Sequence, residues 1–551
     1  MHPPIEKLDA SLEELEGLVE QARPALSTDG YRKLRAAIHT LGYVTELLEK
    51  KEASLAALRE LLCPAGTEKT AQVLEQAGIP AGGKRDQSAD RKDTSPSDAA
   101  RQGDAQAQKR PAPGHGRNGA DAYEGAKQVK IPHASFKKGG PCPLGCGGKL
   151  YPLRDPKVLL RIHGQAPIAA TQYELERLRC HSCGDVFTAA APEGVGEKKY
   201  DETAVSMIAL LRYGNGFPWH RLEIMEAHLG IPLPASTQCQ ILTEVAVMLQ
   251  WVLQELIRQA AQGEVMHNDD TGMRVLILER DADISAKRTG VFTTGIVSVA
   301  EGHRMALFFT GCKHAGENLA EVLKRRATEL PPPIQMCDAL SRNVPKLPAT
   351  FETLMANCNV HGRRNFVKVI ANFPEECRFV LESLGKVYHH DDQAREQKLS
   401  AEERLCFHQE HSGPVMKELH DWLKEQFREK KVEPNSGLGK AITYLLNHWE
   451  KLTLFLRKAG APLDNNIVER ALKMAIRHRK NSLFYKTRKG AAMGDLFMSL
   501  IHTCELNGVN PFDYLTELQR HAEEMKQNPA AWMPWNYQRN LTQVAARAAS
   551  G

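Results

Sequence analysis

The chain has 551 residues, is 42% hydrophobic and 25% charged, and carries a formal net charge of +5, an ordinary composition for a protein with buried cores. Its length exceeds what one core serves, so three or more folded units are expected. No apolar run approaches the roughly 18 residues of a membrane span, and Met1-His-Pro-Pro-Ile-Glu-Lys lacks the apolar stretch of a secretory signal, so a cytoplasmic location is expected.

Residues 1–78 form a predicted helical head. Leu34, Leu41, Leu48, Leu55 and Leu62 recur every seven residues, with Ala37, Val44 and Leu58 at the complementary positions. That spacing is a short coiled-coil seam. Lys51 lies in the seam and Gly42 costs a helix roughly 1 kcal/mol, which keeps a plain helical hairpin open as the alternative. Residues 79–131 are expected to be a disordered linker, because 80–122 contain no Val, Ile, Leu, Met, Phe, Trp or Tyr. Such a stretch cannot bury enough surface to offset its ordering entropy. As a flexible coil its ends would lie roughly 35 Å apart.

Residues 132–195 hold four of the twelve cysteines, in Cys142-Pro-Leu-Gly-Cys146 and Cys180-His-Ser-Cys183. Two short Cys pairs can wrap one tetrahedral Zn2+, and four thiolates close its shell to water. A structural, zinc-ribbon-like module is therefore expected, with His181 a surface residue. The other eight cysteines are scattered singly, as buried thiols of a reducing compartment would be. Residues 196–262 are predicted to be helical and to form a region of their own. Thr237 and Gln240 have capping-box spacing ahead of the apolar-periodic stretch 241–257.

Residues 263–375 begin a mixed α/β domain. Three successive strands are expected over 264–278, 290–299 and 304–310, then a helix over 317–326 and a short strand over 334–337. A charged helical insertion over 376–458 precedes the last part of that domain, 459–520, and a tail over 521–551. The whole is a multidomain α+β chain.

Three carboxylates stand at element ends: Asp269 on the first strand, Asp338 after the short strand, and Glu469 on a later helix. Two-metal phosphoryl transfer needs hard oxygen ligands on rigid elements, holding ions about 3.5–4 Å apart. Alone this is a weak signal, since most carboxylates are solvated surface charges. Arg470, Lys473, Arg477, Arg479, Lys480, Lys486, Arg488 and Lys489 follow Glu469 with no acid among them and with Phe484 and Tyr485 interleaved. Such a stretch suits a phosphate backbone; a solvated basic face is the plain alternative. Arg363 and Arg364 beside His361 make a second basic cluster, in which His361 is equally a packed core histidine.

In order, these segments resemble the insertion-sequence-66 family of bacterial DDE transposases. That family shows a D-E-T strand motif, a strand-end Asp, C-x-x-H-x-R-R-x-F, N-N-x-x-E-R-A-L and R-K-N-x-L-F. Here they are Asp269-Asp270-Thr271, Asp338, Cys358 to Phe366, Asn465 to Leu472 and Arg479 to Phe484. The resemblance implies an RNase H-like catalytic domain with a helical insertion before the last Glu. It implies Asp269, Asp338 and Glu469 as catalytic ligands of two Mg2+ (or Mn2+) ions, beside the structural Zn2+. Substrates would be double-stranded DNA at the element's ends and at its target. A homo-oligomer and accessory proteins of the same element are the further partners it implies, in a bacterial cytoplasm and on the nucleoid when DNA-bound. Asp270 stands where the family has Glu. Strand alternation puts Asp269 and Asp270 on opposite faces, and the family motif selects Asp269. A nuclease on the same fold would use the same carboxylates without joining strands. A zinc-dependent DNA-binding regulator would keep the zinc without the metal pair. The residues alone do not separate nuclease from transposase; the resemblance does.

Overall fold

Val, Ile, Thr and Phe dominate 291–297, and the two strands around Glu301-Gly302 close a hairpin because both turn residues have positive φ, 50° and 80°. This is the two-residue turn whose twist matches that of the paired strands. The computed structural model describes residues 12–25, 27, 29–35, 135, 137–141, 143–144, 146, 149–151, 166–179, 186–196, 198–277, 288 and 290–550. Its first elements are α1 (Leu12–Ala22), β1 (Arg177–Arg179), β2 (Val186–Thr188), α2 (Glu202–Ala209), α3 (Trp219–His228) and α4 (Ala235–Ala260). Then come β3 (Val265–Met273), β4 (Val275–Ile277), β5 (Val291–Ala300), β6 (His303–Gly311), α5 (Ala315–Leu323), β7 (Ile334–Cys337) and β8 (Leu354–Asn357). Helices α6 (Asn359–Val369), α7 (Pro374–Glu396), α8 (Ala401–Arg428) and α9 (Gly437–Leu452) follow. The chain continues through α10 (Asn466–Ser482), β9 (Tyr485–Thr487), α11 (Arg488–Leu506), α12 (Pro511–Arg520), α13 (Ala522–Gln527) and α14 (Tyr537–Ser550). Among the described residues, no helix is long and apolar enough to cross a membrane.

Two compact units form, one within Met1–Gly83 and Asn359–Gly460, the other within Lys84–Cys358 and Ala461–Gly551. The second is built on a five-stranded sheet of order β6-β5-β3-β7-β8. Strand β5 runs antiparallel to both β6 and β3, while β3, β7 and β8 are parallel. Met266, Ile296 and Phe308 of the sheet share one core with Leu242, Leu249 and Leu256 of α4 and with Leu496 and Ile501 of α11. Each such side chain contributes about 1.5–3 kcal/mol on full burial.

Helix α11 covers the sheet edge at β6 in a regular way. Asp495 Oδ2, Ser499 Oγ, Thr503 Oγ1 and Asn507 Oδ1 accept the backbone N–H groups of Thr310, Phe308, Ala306 and Arg304, at 2.7, 3.0, 3.0 and 3.2 Å. Four helical residues rise about 6.0 Å and two strand residues about 6.6 Å, so the two repeats stay in step. The edge that would otherwise pair with another strand is closed by side chains.

The structure divides the chain differently from the sequence reading in three places. The 196–262 helices are not a separate module, because α2 and α4 bury Ile208, Leu242 and Leu249 in the core of the sheet unit. The tail joins the same core through Trp532, Met533 and Tyr537. Helix α6 belongs with the helical unit, where a Cβ on Gly362 would come within 2.7 Å of Leu445 of α9. Amphipathic periodicity shows that a helix has a buried face but not which partner covers it. The expected capping box is also absent: α4 starts after Pro234, and Thr237 and Gln240 lie inside the helix. Gln238 of that turn points inward and donates to Trp219 O (3.2 Å) and Leu233 O (2.8 Å).

In the helical unit, Asp391 of α7 is fully buried and accepts from Arg404 Nε (2.9 Å), His408 Nε2 (3.1 Å) and Arg395, fastening α8 to α7. Helix α8 opens with a true capping box, Ser400 with Glu403. Of the predicted coiled-coil leucines, only Leu34 is among the described residues; Leu41, Leu48, Leu55 and Leu62 lie outside them, as does the expected linker 79–131.

Candidate active site

Strand β3 carries Asp269 in the middle of the sheet, and β7 runs parallel beside it with His267 opposite Met336. Two residues further along that register, just past the end of β7, Asp338 comes opposite Asp269. A third residue joins them. Asn343, in the short 3-10 turn Ser341–Asn343, donates from Nδ2 to Asp338 Oδ1 (2.5 Å) and to Asp269 Oδ1 (3.2 Å). The backbone N–H groups of Leu340 and Asp270 add donors to the same two Oδ1 atoms, at 3.1 and 2.8 Å. Beneath them lies a buried amide layer. Asn343 O accepts from Asn268 Nδ2 (2.8 Å) and Gln335 Nε2 (2.9 Å), and Gln335 Nε2 also donates to Asn268 Oδ1 (2.9 Å).

The electrostatics follow from this packing. Burial pushes the Asp269 carboxyl up to about 7, and the nearby Asp338 charge adds to the rise. A buried carboxylate next to another resists ionising unless a cation compensates it. Asp270, the sequence rival of Asp269, has other partners: its buried carboxylate meets His314 Nδ1 at 2.9 Å and Arg342 Nη2 at 3.4 Å.

Glu469 stands in the first turn of α10, whose start is tied to β3. Asn465 Nδ2 donates to Asn268 O (3.1 Å), and Asn465 Oδ1 lies 3.1 Å from His267 Nδ1. Burial holds His267 down at about 4, so its ring is neutral and donates through Nδ1 to that amide oxygen. Asn465 N–H reaches Cys358 Sγ at 3.3 Å. Further on, α10 lies against β5 at Gly295, the register partner of Asp269. A Cβ on Gly295 would meet Leu472 at 3.0 Å and Val468 at 3.2 Å, so glycine is what lets this helix turn approach the strand beside Asp269. The turn includes Glu469, which is half-buried.

The predicted DNA contacts fall into groups. Arg470, Lys473, Lys480 and Arg488 are exposed. Arg477 is exposed too, yet one arm donates to Gly214 O at 2.8 Å. Arg479 is half-buried, reaching Thr271 Oγ1 at 3.2 Å and Gly272 O. In the helical unit, α6 carries Arg363, which is buried, and Arg364, which is half-buried. A buried guanidinium does not present itself to a phosphate backbone as the exposed cations of α10 do. Of the zinc candidates, Cys142, Cys180 and Cys183 lie outside the described residues; Cys146 is described and exposed. A bridge between Pro141 and Lys149 brackets the first Cys pair in sequence, and the β1–β2 hairpin brackets the second.

Sequence reasoning missed Asn343, Asn268, Gln335 and Gly295. Gly295 had a signal, since a lone glycine within a Thr/Ile/Val strand marks a close approach of another element. Asn343 had none.

Comparison with known proteins adds the following. Residues 198–493 match the family model described as Transposase IS66 family, an interval that contains Asp269, Asp338 and Glu469. Three uncharacterized proteins of Sinorhizobium fredii (strain NBRC 101917 / NGR234) are similar to the chain. Protein y4jD is 32% identical over 197 residues, 35% of this chain and 38% of its own length. Protein y4hP is 24% identical over 385 residues (66% of this chain, 67% of its own), and y4qI 27% over 350 (61% and 62%). The match thus spans little more than a third of y4jD.

Proposed function

The chain belongs to the IS66 family of transposases, and from that premise we propose that it cuts and rejoins DNA strands of an insertion sequence at two divalent cations held by Asp269, Asp338 and Glu469. The observation that carries this reading is the single Asn343 amide bonded to both aspartates in a site where burial raises Asp269 to about 7. Oxygen-only donors of this kind fit Mg2+ or Mn2+. Such ions, when bound, would activate the attacking oxygen and stabilise the leaving one.

The chain's own residues prepare that site. Asn343 holds one oxygen of each aspartate, and the Oδ2 atoms accept no hydrogen bond from the described residues. Asn465 and Gly295 fix the helix that carries Glu469. His314 and Arg342 keep Asp270 engaged elsewhere. Exposed Arg470, Lys473, Lys480 and Arg488 would line the path of the phosphates. In the same reading Cys142, Cys146, Cys180 and Cys183 bind one structural Zn2+, and the protein works as a homo-oligomer on the element's terminal repeats, with accessory proteins of that element, in the bacterial cytoplasm.

The test uses the full-length protein, Mg2+, and duplexes bearing the inverted repeats that flank its gene. Nicked ends at the repeat boundary and joined products are expected. Alanine at Asp269, Asp338 or Glu469 should remove both and leave duplex binding within about twofold, because the metal ions supply the chemistry. Cleavage without joined products would make the protein a nuclease.

A further inference from the structure

The segment that closes α10 combines three features that packing alone does not explain. Leu483 ends the helix at φ 67° and ψ −39°, a conformation that disfavours residues with a Cβ. It is held there by its own N–H on Arg479 O (2.9 Å) and by Phe484 N–H on Ser482 O (2.8 Å). Its side chain is nonetheless 65% exposed, and that of Phe484 36%. Leu276 and Ile277 of the adjoining β4 are exposed as well; β4 pairs with β9, and Tyr485 N–H donates to Arg274 O (2.9 Å). Lys480, Lys486 and Lys489, all exposed, flank Leu483 and Phe484 in sequence, and no carboxylate occurs in the chain between Glu469 and Asp495.

The tip also lies a short stretch of chain from the candidate active site. Arg274 lies five residues beyond Asp269, at most about 17 Å along an extended chain, which is roughly five nucleotides of one DNA strand.

We propose that Leu483 and Phe484 form an unstacking wedge, which takes the apolar faces of bases where the DNA duplex opens next to the candidate active site, while Lys480, Lys486 and Lys489 hold the phosphates. The inference rests on the DNA-processing reading given above. Charge selects the polymer, since Lys480, Lys486 and Lys489 flank Leu483 and Phe484 in a segment that has no carboxylate between Glu469 and Asp495, which favours a polyanion. Exposed apolar area selects its state. A paired duplex turns phosphates and base edges outward, whereas an unpaired or splayed base offers a flat apolar face to aliphatic and aromatic side chains. The strained backbone at Leu483 holds a large side chain out in solvent, where glycine would relieve the strain but offer nothing to a base.

The experiment compares binding of the full-length protein to a fully paired duplex and to the same duplex with a short mismatched bubble, with 2-aminopurine in the bubble as the stacking reporter. Wild-type protein should prefer the bubbled duplex by about fivefold or more and quench the reporter. The double variant Leu483→Ala/Phe484→Ala should lose both preference and quenching while its affinity for the paired duplex stays within about twofold. Leu483→Gly is the control for folding: it should melt no lower than wild type and still lose much of the preference. Equal binding of both duplexes by wild type, or an unchanged preference in the double variant, overturns the wedge and leaves the transposase reading standing. No binding to either duplex contradicts that reading itself. A double variant that changes the oligomeric state but keeps the bubble preference makes the tip a contact between copies of the chain, which also overturns the wedge.

Discussion

Asn343 is the residue on which the two aspartates meet, and it defines the first expectation. Replacing it with Ala removes two hydrogen bonds to carboxylates, each worth about 1.5–3 kcal/mol, and leaves Asp269 and Asp338 to repel one another. Asn343→Ala should lower strand cleavage at least tenfold, on the order expected when a reacting group is displaced by about an ångström. Asp269→Asn should abolish cleavage yet raise the melting temperature in metal-free buffer above pH 7. The sign follows from the raised carboxyl. The folded form holds its proton up to about 7 against an ordinary value of 3.8, so the folded state binds more protons over that window and stability falls as pH rises through it. Thermal melts of both proteins from acid to alkaline pH check this, and an Asp269→Asn protein less stable than wild type at alkaline pH contradicts it. At this scale the sequence was readable only where chemistry and pattern coincide. Strand alternation put Asp269 and Asp270 on opposite faces and the family motif selected Asp269, whereas Asn343 reaches Asp269 across 74 residues from a short turn with no periodicity. Nothing local to it announces that contact.

Among the elements, the ladder between α11 and β6 makes a separate expectation. Asp495 accepts from both Thr310 N and Thr310 Oγ1 and is buried enough to be pushed up to about 7. Its carboxyl too is raised above 3.8, so its contribution is fully present below that value and is lost as pH climbs towards 7. Asp495→Asn should flatten this dependence and match or exceed wild-type stability at alkaline pH. Asp495→Ala, which leaves a strand N–H buried without its acceptor, should cost about 1–3 kcal/mol at acid pH and progressively less as pH rises towards 7. Denaturant melts at three pH values separate the two outcomes. The strand over 334–337 matches its expectation residue for residue, because a short apolar run ends at a polar Asp. The expected strand 264–278 is instead two elements, broken at Arg274 where β4 leaves to pair with β9. Strand β8 had no expected bounds: Leu-Met-Ala-Asn carries no β-branched residue and is a strand because β7 pairs with it.

For the whole molecule, the division into units is testable without reference to activity. The sheet unit pauses at Cys358 and resumes at Ala461, and Asn465 N–H lies 3.3 Å from Cys358 Sγ. Its chain therefore leaves and returns at nearby points. Replacing residues 359–460 with a short Gly/Ser linker should leave the sheet unit folded with a cooperative melt, since loop-closure entropy changes slowly with loop length. A molten product would show that the sheet requires the insertion. The sequence placed the start of that insertion at 376, because the polar, charged character on which the reading relied becomes sustained only with α7.

The measurement closest to the central claim is a count of bound Mn2+ by electron paramagnetic resonance, on the full-length protein with duplex DNA present. About two ions per chain are predicted for wild type, with binding at both weakened in Asp269→Asn, Asp338→Asn and Glu469→Gln alike while DNA affinity is kept. Mn2+ binding that is unchanged in the Asp269→Asn/Asp338→Asn double variant would contradict the account.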